Sequence, residues 1–131
     1  MNVFYNTIVF VKDIKKSKRF YETIIGLKVE NEYDTIVFYE NHFVIHNREE
    51  ILRTVFGGAE DSPSCNCPKN ILIYFETDNI EESYQKIKDE NIEIIHPILE
   101  QEWGQKVFRF YDPDYHLIEI GEAMHLDYLK K

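Results

Sequence analysis

The stretch Trp103-Gly104-Gln105-Lys106-Val107-Phe108-Arg109-Phe110-Tyr111-Asp112-Pro113-Asp114-Tyr115-His116-Leu117-Ile118-Glu119-Ile120-Gly121 reads as two strands joined by a tight turn. Phe108 and Phe110 alternate with Val107, Arg109 and Tyr111, the period of a strand. Asp112-Pro113-Asp114 has turn chemistry: Asp bonds nearby backbone and Pro presets φ. After the turn an apolar run resumes with one acid in it, Glu119. On a strand Glu119 faces opposite to Ile118 and Ile120. A carboxylate so placed stands on a solvent face, lines a wet cavity or is paired.

Working upstream, Asn70–Phe75 is a strand, and Asn79 caps a helix through Asn91 with Glu82 at the capping-box position. The helix carries the stripe Ile80, Ser83, Tyr84 and Ile87. Ile92–Ile95 is a strand, and His96-Pro97 runs extended toward Trp103. The order is β-α-β-β-β. The same order occurs once before. Asn6–Val11 is a β-branched and aromatic strand. Asp13 caps a helix with Ile14, Ser17, Phe20, Tyr21 and Ile24 at helical spacing, and Gly26 ends it. Leu27–Glu30 is a short strand, Asn31–Asp34 a turn, and Ile36–Tyr39 and Phe43–His46 two more strands. Val11–Ser17 lies over Thr77–Ser83 without a gap, which sets Asn6 over Leu72 and Ile8 over Tyr74. A repeat this long exceeds a solenoid unit and fits two fused copies of one supersecondary unit.

The expectation is one α+β domain over residues 1–131, with module 1 at 3–47, a linker at 48–69, module 2 at 70–121 and a tail at 122–131. Arg48–Phe56 reads as a short helix within the linker, and Glu122–Lys131 as another in the tail. A linker of this length often covers a site or crosses between subunits. The 15 Lys and Arg against 24 Asp and Glu give a net charge of −9, which argues against nucleic acid and anionic membranes as partners. No apolar run approaches a membrane span, and Met1–Tyr5 lacks a signal peptide's basic and apolar regions, so a cytoplasmic location is expected. Cys65 and Cys67, beside Pro63 and Pro68, read as loop composition; zinc needs four ligands and no second pair exists.

These residues resemble a family. Asn6-Thr7-Ile8-Val9-Phe10-Val11-Lys12-Asp13-Ile14 with Ser17, Phe20, Tyr21 and Gly26-Leu27 is similar to the opening of the vicinal oxygen chelate superfamily. Tyr111-Asp112-Pro113-Asp114 with His116–Ile120 is similar to its closing motif. This is the superfamily of glyoxalase I, the bleomycin resistance proteins and the extradiol dioxygenases. The resemblance implies two βαβββ modules forming a curled mixed sheet around a cavity. It is specific for fold and weak for reaction.

In the superfamily's metalloenzymes the first and last strand of each module each supply a metal ligand. Carried over, those positions are Asn6, His46, Leu72 and Glu119. Leu72 cannot ligate and an Asn6 amide oxygen is a poor transition-metal ligand, so no resident metal is favoured. The resemblance therefore implies a member that binds a small aromatic or apolar molecule, to sequester it or to act on it through His46 and Glu119. The inward set is Ile8, Phe10, Leu72, Tyr74 and Glu76 with Asn6; Trp103, Phe108 and Tyr115 join it as ligand contacts. One alternative is a divalent-metal-dependent lyase, transferase or dioxygenase holding its ion with His46, Glu119, Asn6 and water. Another is a ligand-sensing module without chemistry. Tyr115 stands where the superfamily often has Gly, so a positive φ there costs about 1–2 kcal/mol. Arg109 is expected in a surface salt bridge, and His42, His96, His116 and His125 at the surface. The resemblance also implies a homodimer.

Overall fold

The computed structural model describes residues 1–57 and 71–124. The chain divides into two units, Met1–Asn66 and Cys67–Lys131. In the first, β1 (Thr7–Val11) leads into α1 (Ile14–Arg19), which widens into a π-helical turn over Phe20–Ile25. Then come β2 (Val29–Tyr33), β3 (Ile36–Tyr39), β4 (Phe43–Asn47) and α2 (Arg48–Phe56). The strands lie in the order β1-β4-β3-β2, with β1 parallel to β4 and the other pairs antiparallel. Strand alternation sends Val9, Val11, Val37, Tyr39 and Ile45 to the buried side. There the Tyr21 ring packs against Phe43 at 5.1 Å and Tyr39 at 6.4 Å.

Asp13 starts α1 as read, its Oδ1 accepting the amides of Lys15 and Lys16. Gly26 ends the turn with φ +97°, a left-handed conformation that favours glycine. The Tyr21 carbonyl accepts the amides of both Gly26 and Leu27. Residues 31–33, expected in a turn, instead continue β2. As an edge strand it leaves Asn31, Glu32 and Tyr33 exposed, so polar side chains meet no penalty there, and an irregularity between Val29 and Asn31 shifts its register.

The second unit repeats the scheme with β5 (Leu72–Thr77), α3 (Ile80–Asp89), β6 (Ile94–Glu100), β7 (Lys106–Tyr111) and β8 (Leu117–Glu122). The strand order is β5-β8-β7-β6, and β5 is parallel to β8. Phe108, Phe110, Ile118 and Ile120 are buried on one face, where Tyr84 of α3 meets the Phe108 ring edge-on at 5.1 Å. Asn79 Oδ1 accepts the Glu82 amide. The reciprocal bond of a capping box is replaced: the Asn79 amide goes to Thr77 Oγ1, which also bonds Ser83 Oγ. The strand expected at 92–95 starts later and runs on through Pro97. As the edge strand, β6 accommodates a proline without breaking a ladder, and its register shifts twice.

The α+β class and the two βαβββ modules stand. In place of one curled sheet, each module forms its own four-stranded mixed sheet, and neither sheet closes on itself. Most of the loop after Gly57, with Cys65 and Cys67, and the C-terminal tail with His125 lie outside the described residues.

Candidate functional site

Each sheet buries one face with its helix and carries most of the strand-borne candidate residues on the other. In the second unit the register lines up Tyr74, Glu119, Arg109 and His96 as direct cross-strand neighbours, one from each strand. Opposite residues in a ladder share a face, so the four side chains form one row. The Glu119 side chain is only 9% exposed, and its Oε1 accepts from Arg109 Nε at 2.7 Å. Arg109 Nη1 lies 3.2 Å from His96 Nε2. His96 Nδ1 is 2.7 Å from the Pro97 carbonyl, which only accepts. Nδ1 therefore carries the proton, and Nε2 accepts from the guanidinium. Arg109 is thus the partner of the buried acid, bridged between two side chains, rather than a plain surface ion pair.

A second network sits beside this row. Gln105, buried in the loop between β6 and β7, donates from Nε2 to Tyr74 Oη and to the Glu122 carbonyl, both at 2.8 Å. Its Oε1 accepts from Trp103 Nε1 at 2.8 Å. Tyr74 Oη in turn donates to Glu76 Oε2 at 2.5 Å. Burial first, and then the Glu76 carboxylate, push the Tyr74 phenol up to about 12 against the opposing pull of the Gln105 amide. The Gln105 side chain lies where a residue at 121 would project: a Cβ on Gly121 would stand 2.5 Å from Gln105 Nε2.

In the first unit the matching row is apolar except at its edge, Asn31. Ile8 and Tyr74 each precede their helix cap by five residues (13 − 8 and 79 − 74), so they correspond. The row of Ile8 is Ile8, Val44, Phe38 and Asn31. By this internal symmetry the counterpart of Glu119 is Val44, which carries no donor. His46 falls in the next row, with Phe10, Ile36 and Tyr33, and its counterpart is Gly121.

The other expected residues divide cleanly. Ile8 and Phe10 stand on the face away from the helix in the first unit, and Leu72, Tyr74 and Glu76 do so in the second. Asn6 precedes β1 and is half-buried. Trp103 is 59% exposed in its loop. Phe108, expected among the ligand contacts, is instead fully buried on the helix side, because strand alternation sets it opposite Arg109. Tyr115 is exposed in the turn with φ +65°, its ring packed on Tyr111. Sequence reasoning passed over Gln105 and set His96 at the surface. A glycine inside a strand, Gly121, was the one available signal of close approach. Asp112 is also buried: Oδ1 accepts the amides of Asp114 and His116, and Oδ2 binds His116 Nδ1 at 2.7 Å.

Of the four positions the resemblance assigns to metal ligands, Leu72 has no donor and the Glu119 carboxylate is bonded to a guanidinium. No helix among the described residues is long and apolar enough to cross a membrane.

The family model for the glyoxalase-like domain matches residues 4–125. A crystal structure of a protein of unknown function from Agrobacterium tumefaciens C58 is 40% identical, with a TM-score of 0.85 over 95% of this chain and 96% of that one. The Bacillus subtilis (strain 168) protein YraH is 27% identical over 121 residues, 88% of this chain and 94% of that one. A glyoxalase-related enzyme from Fulvimarina pelagi shares the fold, with a TM-score of 0.76 at 18% identity over 94% of this chain and 89% of that one. The family match, the two βαβββ modules and the closing turn agree: the chain belongs to the glyoxalase-like domain family of the vicinal oxygen chelate superfamily.

Proposed function

We propose that this chain binds a small, flat, apolar or aromatic molecule on the sheet faces opposite its helices, and does so without a resident metal. The observation that carries the metal-free reading is the 2.7 Å bond from Arg109 Nε to Glu119 Oε1. A divalent ion at that oxygen would displace the guanidinium or sit beside it, like charge against like charge. The donor set that the resemblance assigns does not fit a transition-metal centre, with leucine at 72 and an amide at 6. The ligand class is supported by the side chains on those faces: Ile8, Phe10, Leu72 and Tyr74 all keep substantial exposed surface. His46 shares its row with Phe10 and is the group that would move a proton. A cytoplasmic location belongs to the same reading.

Thermal unfolding tests this. The protein is stripped with chelator, then scanned with Mg²⁺, Mn²⁺, Fe²⁺, Co²⁺, Ni²⁺ and Zn²⁺ singly, and with a panel of bicyclic aromatics. A ligand at 100 times its Kd stabilises by about 2.7 kcal/mol, a shift of several degrees. The expected result is a shift with an aromatic and none with a metal. A metal-dependent shift that disappears in Glu119→Gln would overturn the reading. Turnover of a bound aromatic that is lost in His46→Ala while binding persists would make the protein an enzyme rather than a sequestering one.

A further inference from the structure

Gln105 and Gly121 belong to neither a ligand set nor the core, yet the second unit is built to keep them together. The Gln105 carboxamide spends both donors and an acceptor on three partners: Tyr74 Oη, the Glu122 carbonyl and Trp103 Nε1. A buried amide that is fully bonded holds one orientation, because each lost bond strands a polar atom. Two of its partners are aromatic, and both residues keep substantial exposed surface: Trp103 is 59% and Tyr74 43% exposed. Nothing in hairpin formation requires this. The loop closes through backbone bonds alone, Gln101 N to Gln105 O at 2.8 Å and Gly104 N to Gln101 O at 2.9 Å. The Tyr74 hydroxyl accepts from Gln105 and gives its own proton to Glu76. It meets a ligand with its ring more than with its hydroxyl.

We propose that Gln105 is the positioning residue of an aromatic clamp, fixing Trp103 and Tyr74 so that their rings take a flat aromatic ligand, and that Gly121 is the condition for it. Any side chain at 121 would displace the carboxamide, since a Cβ there would stand 2.5 Å from Nε2 and 3.3 Å from the Tyr74 ring. The clamp rests on the reading that the ligand is flat and aromatic. It adds which residues set the spacing and therefore the selectivity.

The chain has one tryptophan, so its fluorescence reports Trp103 alone. Gln105→Met removes the three bonds at similar volume. Gly121→Ala evicts the same carboxamide without altering it. Each is compared with wild type by acrylamide quenching without ligand and by calorimetric titration with 2-naphthol. Both variants should quench more steeply and bind 2-naphthol about five- to tenfold more weakly. The double variant should be no weaker than the worse single one, because both act through one amide. Folding is monitored by circular dichroism, and either single variant suffices if the other does not fold. Wild-type quenching and affinity in a folded variant, or additive losses in the double one, overturn the clamp. A wild type that binds no aromatic probe overturns the ligand reading and takes the clamp with it. Unchanged variants beside a binding wild type overturn the clamp alone.

Discussion

Glu119 and Arg109 show how a single pair turns a motif to a different use. The acid was legible in the sequence as the one polar residue in an apolar strand, facing away from Ile118 and Ile120. Its partner was not, because strand spacing says which face a side chain takes and not which neighbour crosses to meet it. That pairing follows from the register of β7 on β8. The carboxylate is nearly buried while a third of Arg109 is exposed. Arg109→Ala therefore strands a desolvated charge, and urea unfolding should register a loss of about 1–3 kcal/mol. Arg109→Met combined with Glu119→Leu should recover most of it, since two apolar groups leave no charge to satisfy. A double variant as unstable as Arg109→Ala would contradict this account of the pair. Tyr74 was expected to face inward from its register with Ile8, and Trp103 was expected beside it as a ligand contact, but Gln105 itself carries no signature in the sequence. Its neighbours Gly104 and Lys106 do not mark it, and its role appears only when β5, β8 and the loop come together.

At the scale of an element, the turn between β7 and β8 is the best-determined piece of local structure. Asp112-Pro113-Asp114 was read correctly as a turn, and Asp112 holds it through two amides and the His116 ring. The histidine was expected at the surface. It is drawn in because a buried carboxylate needs more partners than the turn backbone supplies. Burial alone would lower the His116 pKa, but the Asp112 bond and the charges of Asp112 and Asp114 outweigh it and hold the imidazolium above the usual 6.5. The sign follows. A folded pKa above the unfolded one adds stability that is fully present below about pH 6.5. That stability is lost as pH rises through the folded value. Urea midpoints taken from pH 5.5 to 8.5 should fall on the alkaline side of this range, and the fall should shrink in His116→Phe. An unchanged profile in that variant would remove His116 as the cause. Strand and helix identity were legible across both modules, while boundaries drifted at the two edge strands, β2 and β6. There exposure relaxes the hydrophobic pattern that marks interior strands. Glu122, expected to open a tail helix, instead ends β8.

At the scale of the whole chain, duplication is visible in the sequence, because Val11–Ser17 and Thr77–Ser83 carry caps and strand ends in step. What duplication leaves hidden is divergence between the copies. One face carries Ile8, Val44, Phe38 and Asn31, and the other Tyr74, Glu119, Arg109 and His96. The helix-side faces stay apolar in both, while the rows opposite have diverged around a buried position, Val44 in one and Glu119 in the other. We propose that the chain pairs with a second copy, in keeping with the exposed Val3, Phe4 and Tyr5 at its start. Sedimentation at micromolar concentration should give twice the 15.8 kDa chain mass, and a monomer there removes the proposal. The π-helical turn has a further consequence. From Asp13 to the left-handed Gly26 is thirteen residues (26 − 13), and from Asn79 to the left-handed Asn91 is twelve (91 − 79). The first copy thus holds one residue more than the second, taken up inside the helix as a wide turn rather than extruded as a loop. An ancestral reconstruction of this chain has to open its gap within a helix. A method that confines gaps to loops would misalign the segment from Phe20 to Gly26, and with it Tyr21, on which Tyr39 and Phe43 close.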